Sequence, residues 1–188
     1  MKKISFGITV LLFLASFISQ AQTKINDITF PNSFTAGKEQ LVLNGGGTRE
    51  KYWMDMYVSG LYLTAKSKDA AGIVAADASM CFRICIVSGL ISSSKMSDGV
   101  QEGFEKSTGG KVAPYQAKID QFKKAFSDPI SKGDVFDIVY TEGKTSVYKK
   151  GTLKQEIEGF DFKKAMFGMW LGTDPVDEGM KKGLLGEY

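Results

Sequence analysis

The sequence predicts an α+β fold, an antiparallel sheet with helices packed mainly on one face. Three observations lead to this prediction. Strand-like runs recur as hairpins, strands and helices are segregated rather than strictly alternating, and no repeat, linker or low-complexity tract divides the chain. One domain is sufficient for a chain of this length.

The stretch from Leu41 to Leu63 organises the predicted sheet. We expect one strand to end at the three glycines Gly45–Gly47 and a second, aromatic strand to run from Lys51 to Leu63. Alternation places Tyr52, Met54, Met56, Val58 and Tyr62 on one face, and Trp53, Asp55, Tyr57, Leu61 and Leu63 on the other. Because both faces are largely apolar, this strand is expected at the centre of the sheet.

The other elements follow from periodicity and from capping residues. We predict strands at 24–30, 80–88, 134–141, 145–150 and 152–157, and a turn at 33–38. We predict helices at 67–77, after Ser92 with Met96, Val100 and Phe104 on one face, and from Pro114 to Phe126. Two more are predicted, one at 162–171 capped by Asp161 and one beginning at Thr173-Asp174-Pro175.

The first 21 residues have the pattern of an export signal. Lys2 and Lys3 precede an apolar run from Ile8 to Ile18, and small residues follow at Ser19-Gln20-Ala21. We expect cleavage after Ala21, which leaves the domain 22–188 in the periplasm or secreted. The alternative is an uncleaved N-terminal anchor. No later segment is long and apolar enough to span a membrane, so we expect no stable membrane insertion after cleavage.

Composition excludes several classes of function. The chain has no histidine, which removes imidazole bases and most zinc and haem sites, and we expect neither a metal nor a cofactor. The net charge is only +3, and two of the lysines lie in the predicted signal, so nucleic acid is not an expected partner. Cys81 and Cys85 would lie about 13 Å apart on one strand face, too far for a disulfide, and are expected to be buried free thiols.

Arg49 is the strongest candidate for a site residue. An arginine beside three glycines and an aromatic strand can present its planar fork to a carboxylate or enolate oxygen. Tyr57 can add a second donor. A surface or core-pairing arginine is the open alternative, and Asp55 is expected either to pair with Arg49 or to act as a base.

The segment GGGTREKYWMDMYVSGLYL resembles the glycine-rich turn, arginine and Gly-x-Tyr-Leu strand end of the chalcone isomerase superfamily. The segments FKKAMFGMWLG, DP and KKGLLG, within 160–186, resemble the C-terminal helices of bacterial chalcone-isomerase-like proteins. The resemblance covers nearly all of the chain after residue 21. It implies that superfamily's open-faced sandwich, with an antiparallel sheet and helices mainly on one face.

The resemblance also bears on activity. Plant chalcone isomerases use an arginine, a threonine, a tyrosine, an asparagine and a late threonine or serine. Their counterparts here are Arg49, Tyr57, positions near Lys95 and Glu102, and a position near Met169, so only the arginine is matched. A site that stabilises a developing enolate loses most of its advantage when its donors are replaced. Flavonoid cyclisation is therefore not the expected activity.

Fatty-acid-binding members of the superfamily hold the lipid carboxylate with an arginine and a tyrosine, which Arg49 and Tyr57 resemble. We therefore expect an exported protein that binds a small amphipathic acid, such as a fatty acid, between sheet and helices. The candidate lining residues are Trp53, Met54, Met56, Met96, Phe104, Met166 and Met169. Two alternatives remain: an isomerase for a phenolic or enone substrate using Arg49 and Lys95, and a structural or assembly protein with a filled core. The sequence leaves the oligomeric state open.

Overall fold

A curled antiparallel sheet of seven strands carries the helices on one face, which confirms the predicted fold class. The computed structural model describes residues 22–187, so the predicted signal and its cleavage site lie outside the described residues. The sheet consists, in spatial order, of β3 (Ser33–Ala36), β4 (Glu39–Lys51), β5 (Met54–Leu63), β6 (Met80–Ile86), β7 (Val135–Thr141), β8 (Lys144–Lys149) and β9 (Thr152–Glu158). A separate ribbon of β1 (Gln22–Ile25) and β2 (Ile28–Pro31) packs on the other face.

Five α-helices complete the fold in the described residues, with a short 3-10 helix (Ala113–Tyr115) directly before the third: α1 (Ala70–Ala75), α2 (Ser93–Ser107), α3 (Gln116–Lys124), α4 (Phe160–Leu171) and α5 (Glu178–Leu184). Between residues 22 and 187, none of them is long and apolar enough to cross a bilayer. The main core lies between these helices and the sheet, and a smaller core lies under the β1–β2 ribbon. Cys81 and Cys85 are buried free thiols in β6, as predicted.

The three glycines lie inside β4 and do not end it, so that prediction was wrong. A Cβ atom on Gly45 would meet the carbonyl oxygen of Gly183, and one on Gly47 would lie 2.6 Å from the carbonyl oxygen of Met180. Both neighbours are backbone atoms of α5. The glycines therefore let a helix pack against a strand with no side chain between them, and this contact fixes the start of α5 beside the end of β4.

The turn after β4 is formed by Tyr52 and Trp53, which corrects the predicted strand from Lys51 to Leu63. Both residues have positive φ, 53° and 59°, and Lys51 pairs with Met54 across them. Trp53 is therefore 97% exposed at a hairpin tip instead of lying on a strand face. Alternation concealed the turn because neither residue is one that usually takes this conformation.

A bulge at Met56 corrects the predicted faces of β5. Arg49 pairs with Tyr57 and Glu50 pairs with Asp55, so Met56 has no partner on β4. As a result Met56 and Tyr57 both pack against the core on the helix side, although strict alternation puts them on opposite faces. Val58 and Tyr62 pack on the other face, under the ribbon.

The remaining differences concern ends and caps. The predicted strand at 24–30 is a hairpin with Asn26 and Asp27 at positive φ, and the predicted turn at 33–38 contains β3. Helix α4 begins after Gly159, without a side-chain cap from Asp161. Helix α5 is capped by Asp177, whose carboxylate accepts from the amide of Met180, so the predicted start at Thr173 was too early. Capping and turn residues predicted roughly where these elements lie. The residue at which each element begins or ends depends on tertiary contacts that the local sequence does not contain.

Candidate ligand-binding cavity

A cavity of about 420 Å³ lies between the sheet and α2 and opens near the tip of the β4–β5 hairpin. Its volume is within the usual range of small-molecule sites, and its walls are mostly apolar. Strands β4 to β7 contribute Arg49, Lys51, Met54, Met56, Tyr57, Ile84 and Ile138, and the hairpin turn contributes Tyr52. The opposite wall consists of Leu90, Ile91, Lys95, Met96, Asp98, Gly99, Val100, Glu102, Phe122, Phe126, Met169, Trp170 and Val176.

The structure brings Arg49 and Tyr57 together. They are cross-strand partners in the β4–β5 hairpin, and both side chains line the cavity. Directly opposed residues in an antiparallel pair have Cβ atoms about 5 Å apart and share a face of the sheet. The two residues are only eight positions apart because they face each other across one hairpin. The hairpin therefore places a cation and a phenol side by side.

Arg49 is held by its own strand and by the start of α5. Its Nη1 donates to the carbonyl oxygen of Glu50 at 2.7 Å and lies 3.4 Å from Oδ2 of Asp177. In residues 22–187 the hydrogen bonds of this guanidinium all leave from Nη1, so Nε and Nη2 remain as donors for a ligand. The side chain is 17% exposed, which makes it accessible but largely shielded from solvent.

Asp177 is a site residue that the sequence reasoning missed. Besides facing Arg49, its Oδ2 accepts from the amide of Glu50 at 3.2 Å and its Oδ1 accepts from that of Met180 at 2.9 Å. One carboxylate thus caps α5 and ties that helix to the end of β4. An aspartate three residues before an apolar helical position is an N-cap pattern, and it was available as a signal after Pro175.

Tyr57 is oriented by Trp170 of α4, which the sequence reasoning placed inward but did not assign to the site. The indole Nε1 donates to the Tyr57 hydroxyl oxygen at 3.2 Å. Burial raises the pKa of Tyr57, an effect that the bond from Trp170 and the charge of Arg49 only partly offset. The hydroxyl therefore keeps its proton at neutral pH, and because it accepts from Trp170 its own O–H is available to donate into the cavity.

The candidate lining residues separate into two groups. Met54, Met56, Met96 and Met169 line the cavity, whereas Trp53, Phe104 and Met166 do not. Trp53 is at the exposed tip. Phe104 is fully buried among the rings of Phe122 and Phe162, with centroids 6.1 and 5.4 Å away, and Met166 is fully buried in the same core. On the apolar face of α2, Met96 thus lines the cavity while Phe104 packs in the core, because the cavity occupies only part of the space under this helix.

Asp55 does not pair with Arg49, so that alternative was wrong, and Asp55 does not line the cavity. It accepts from the side-chain amide of Asn26 at 2.7 Å, across to the β1–β2 turn, while Arg49 faces Asp177. The positions singled out by the resemblance nevertheless converge, since Tyr57, Lys95, Glu102 and Met169 all line the cavity with Arg49. Glu102 lies 3.5 Å from the ammonium group of Lys51 at the mouth.

Comparison with known proteins agrees with this architecture. The family model described as chalcone isomerase-like matches residues 22–186, and the chain belongs to this family. A crystal structure of a fatty-acid-binding protein from Arabidopsis thaliana superposes with a TM-score of 0.71 at 18% sequence identity, covering 88% of this chain and 96% of that one. At this identity the likeness establishes the shared fold. The search of curated protein sequences finds no significant match.

Proposed function

We propose that this protein binds a small amphipathic acid, such as a fatty acid, with the carboxylate at Arg49 and the apolar chain between sheet and α2. The observation that carries the proposal is the pairing of Arg49 and Tyr57 side by side in the wall of a mostly apolar cavity. The fatty-acid ligand of the Arabidopsis protein of the same fold supports this choice of ligand class.

The cavity wall offers both kinds of contact that such a ligand needs, donors for the carboxylate and apolar surface for the chain. A guanidinium with donors to spare and a protonated phenol can both donate to one carboxylate, and charge-assisted bonds of this kind are the stronger ones. The methionines of the lining are unbranched and adaptable, so they can pack against a flexible alkyl chain. The charges of Lys51 and Lys95 are balanced by those of Asp98 and Glu102, so among the described residues Arg49 is the remaining cation of the cavity lining.

The proposal is tested by comparing an acid with the matched alcohol. Lauric acid and dodecanol are titrated calorimetrically into the wild-type protein under identical conditions. We expect the acid to bind at least about tenfold more tightly, because the uncharged alcohol cannot form an ion pair with the guanidinium of Arg49. Equal affinity for the two would contradict a carboxylate contact at Arg49, and binding of neither would contradict the proposal that the cavity takes a simple fatty acid.

Tyr57→Phe is expected to weaken lauric acid binding by about 3- to 10-fold, since one neutral hydrogen bond contributes about 1 kcal/mol. The same calorimetric titration measures the change. Tyr148→Phe is the matched control, because Tyr148 lies in β8 outside the cavity and its variant should bind like wild type. Affinity unchanged in Tyr57→Phe would show that the hydroxyl does not form a hydrogen bond to the ligand.

An isomerase remains the second candidate, because Lys95 and Glu102 line the same cavity as Arg49. In that case a phenolic or enone substrate would be polarised by Arg49, with Lys95 as the base. Turnover of a chalcone that is lost in Lys95→Met would support it. Binding is the better-supported proposal because Met169 and the other methionines supply packing surface and no donors to a developing enolate.

We further propose that the protein acts after export, in the periplasm or outside the cell. The support is the basic start at Lys2 and Lys3, the apolar run Ile8–Ile18 and the small residues up to Ala21. The intact mass of the protein recovered from the exported fraction tests this directly. A mass that begins at Gln22 is expected, and one that includes Met1 would contradict cleavage.

A further inference from the structure

The turn of the β4–β5 hairpin carries two bulky aromatic residues in a conformation that such residues rarely adopt. Tyr52 and Trp53 have φ of 53° and 59° and are 72% and 97% exposed. Four other two-residue hairpin turns occur within 22–187, and each uses a glycine, an asparagine or an aspartate at positive φ: Asn26-Asp27, Gly37-Lys38, Glu142-Gly143 and Lys150-Gly151. Of these five turns, only the one at 52–53 accepts the steric cost of two large side chains, and both of them stay mostly exposed.

This turn stands at the mouth of the cavity. Tyr52 itself lines the opening, together with the partly exposed Met54 and Leu90, which are 42% and 45% exposed. Of the large apolar side chains that are exposed in residues 22–187, only Leu153 lies away from this place. The exposed apolar surface of the protein is thus concentrated where a ligand would enter.

We propose that this aromatic tip, defined as Tyr52, Trp53, Met54 and Leu90, docks on the interface of a lipid bilayer, so that the cavity opens towards the membrane. Tyrosine and tryptophan favour the boundary between headgroups and acyl chains, because each has an apolar body and a polar group. The proposal rests on the proposed function only for what passes between bilayer and cavity; docking itself depends on the tip.

The size of the tip favours a bilayer over a protein partner. An aromatic side chain buries about 150–250 Å² and a stable protein interface needs about 800 Å² from each partner, which a two-residue turn with Met54 and Leu90 falls short of. A bilayer requires no such area, because shallow insertion of a few apolar side chains suffices for reversible association.

The charges around the tip indicate which lipids it would contact. Lys51 is paired with Glu102, Lys95 shares the cavity wall with Asp98, and Asp55 accepts from Asn26. Because positive and negative groups nearly cancel, attraction to anionic headgroups is weak. We expect docking on zwitterionic phosphatidylcholine vesicles that changes little when anionic lipid or salt is added.

The experiment compares the wild type with the double variant Tyr52→Asn/Trp53→Gly in flotation with phosphatidylcholine vesicles. The variant installs the sequence preferred in this type of turn, so its melting temperature should rise, and a loss of docking cannot then be attributed to unfolding. We expect at least a tenfold loss of vesicle binding. Leu153→Ser, which removes an exposed apolar side chain elsewhere, should bind vesicles like wild type.

Tryptophan fluorescence gives a second readout that reports on the tip itself, since Trp53 and Trp170 are the two tryptophans of the chain. Phosphatidylcholine brominated on its acyl chains should quench the emission of the wild type. It should not quench that of the double variant, whose remaining Trp170 is only 6% exposed. No quenching in the wild type, or equal quenching and equal flotation in both proteins, would overturn the proposal.

Two further outcomes separate this inference from others. Self-association that is lost in the double variant, without vesicle binding, would assign the tip to a protein contact and overturn the proposal. If vesicle binding fails while lauric acid binds, the proposed function stands and the docking inference is wrong. If the vesicles bind and lauric acid does not, docking stands and the ligand must be sought among other lipids.

Discussion

Gly45→Ala is expected to destabilise the protein by about 3 kcal/mol or more, with a fall in melting temperature of roughly 6–12 °C. The added methyl group would meet the carbonyl oxygen of Gly183, and it would lie 2.8 Å from that of Leu184 and 2.9 Å from the amide nitrogen of Gly186. These are backbone atoms of α5 and of the residues that follow it, so no rotamer change can relieve the clash. Chemical denaturation measures the change in the free energy of unfolding.

Gly99→Ala is the matched control for this substitution. Gly99 lies inside α2, and a Cβ atom there would have nothing within 4 Å. Alanine should therefore stabilise the protein, by about 0.5–1 kcal/mol, through its better helix propensity. If the free energy of unfolding falls in Gly45→Ala and rises in Gly99→Ala, the close approach of α5 to Gly45 is what makes alanine destabilising there. A loss of stability of similar size at both would contradict this account of β4.

Arg49→Gln is expected to weaken lauric acid binding by about 30-fold or more. Removing one partner of a shielded charge-assisted contact costs about 2 kcal/mol or more, because the carboxylate is then left without its counter-charge. Glutamine keeps polarity and much of the length of arginine, and Tyr57 is unchanged. The dissociation constant from calorimetry gives the size of the effect.

Two control variants distinguish the effect of the planar guanidinium group at Arg49 from the effect of positive charge alone. Lys111→Gln removes one positive charge at an exposed position outside the cavity, and it should leave the affinity unchanged. Arg49→Lys keeps the charge but loses the planar fork, so its affinity should lie between those of wild type and Arg49→Gln. If Lys111→Gln weakens binding as much as Arg49→Gln does, the interaction is one of net charge and Arg49 has no specific role.

Much of the fold was predictable from the chain because its signals are local. Hairpins at Glu142-Gly143 and Gly151, the cap at Ser92 and the stripe of Met96, Val100 and Phe104 each depend on neighbouring residues. The free state of the cysteines followed from strand geometry alone. The convergence of Arg49 and Tyr57 was only a hypothesis, and it required the hairpin register that the structure supplies.

The errors concern contacts between residues distant in the chain. The role of Gly45 and Gly47 inside a strand becomes visible only when α5, more than 130 residues later, is seen against them. The partnership of Arg49 with Asp177 has the same origin. The turn at Tyr52 and Trp53 was missed for another reason, because its residues contradict the local preferences on which turn prediction relies.

The central claim is that the cavity holds an amphipathic acid through Arg49, and native mass spectrometry tests it most directly. The wild type and Arg49→Gln are purified without detergent and measured intact. We expect a wild-type species carrying an added mass that dissociates as an acid of lipid size, and an Arg49→Gln species without it. Wild-type protein that is empty, or the same adduct retained in full by Arg49→Gln, would contradict the account.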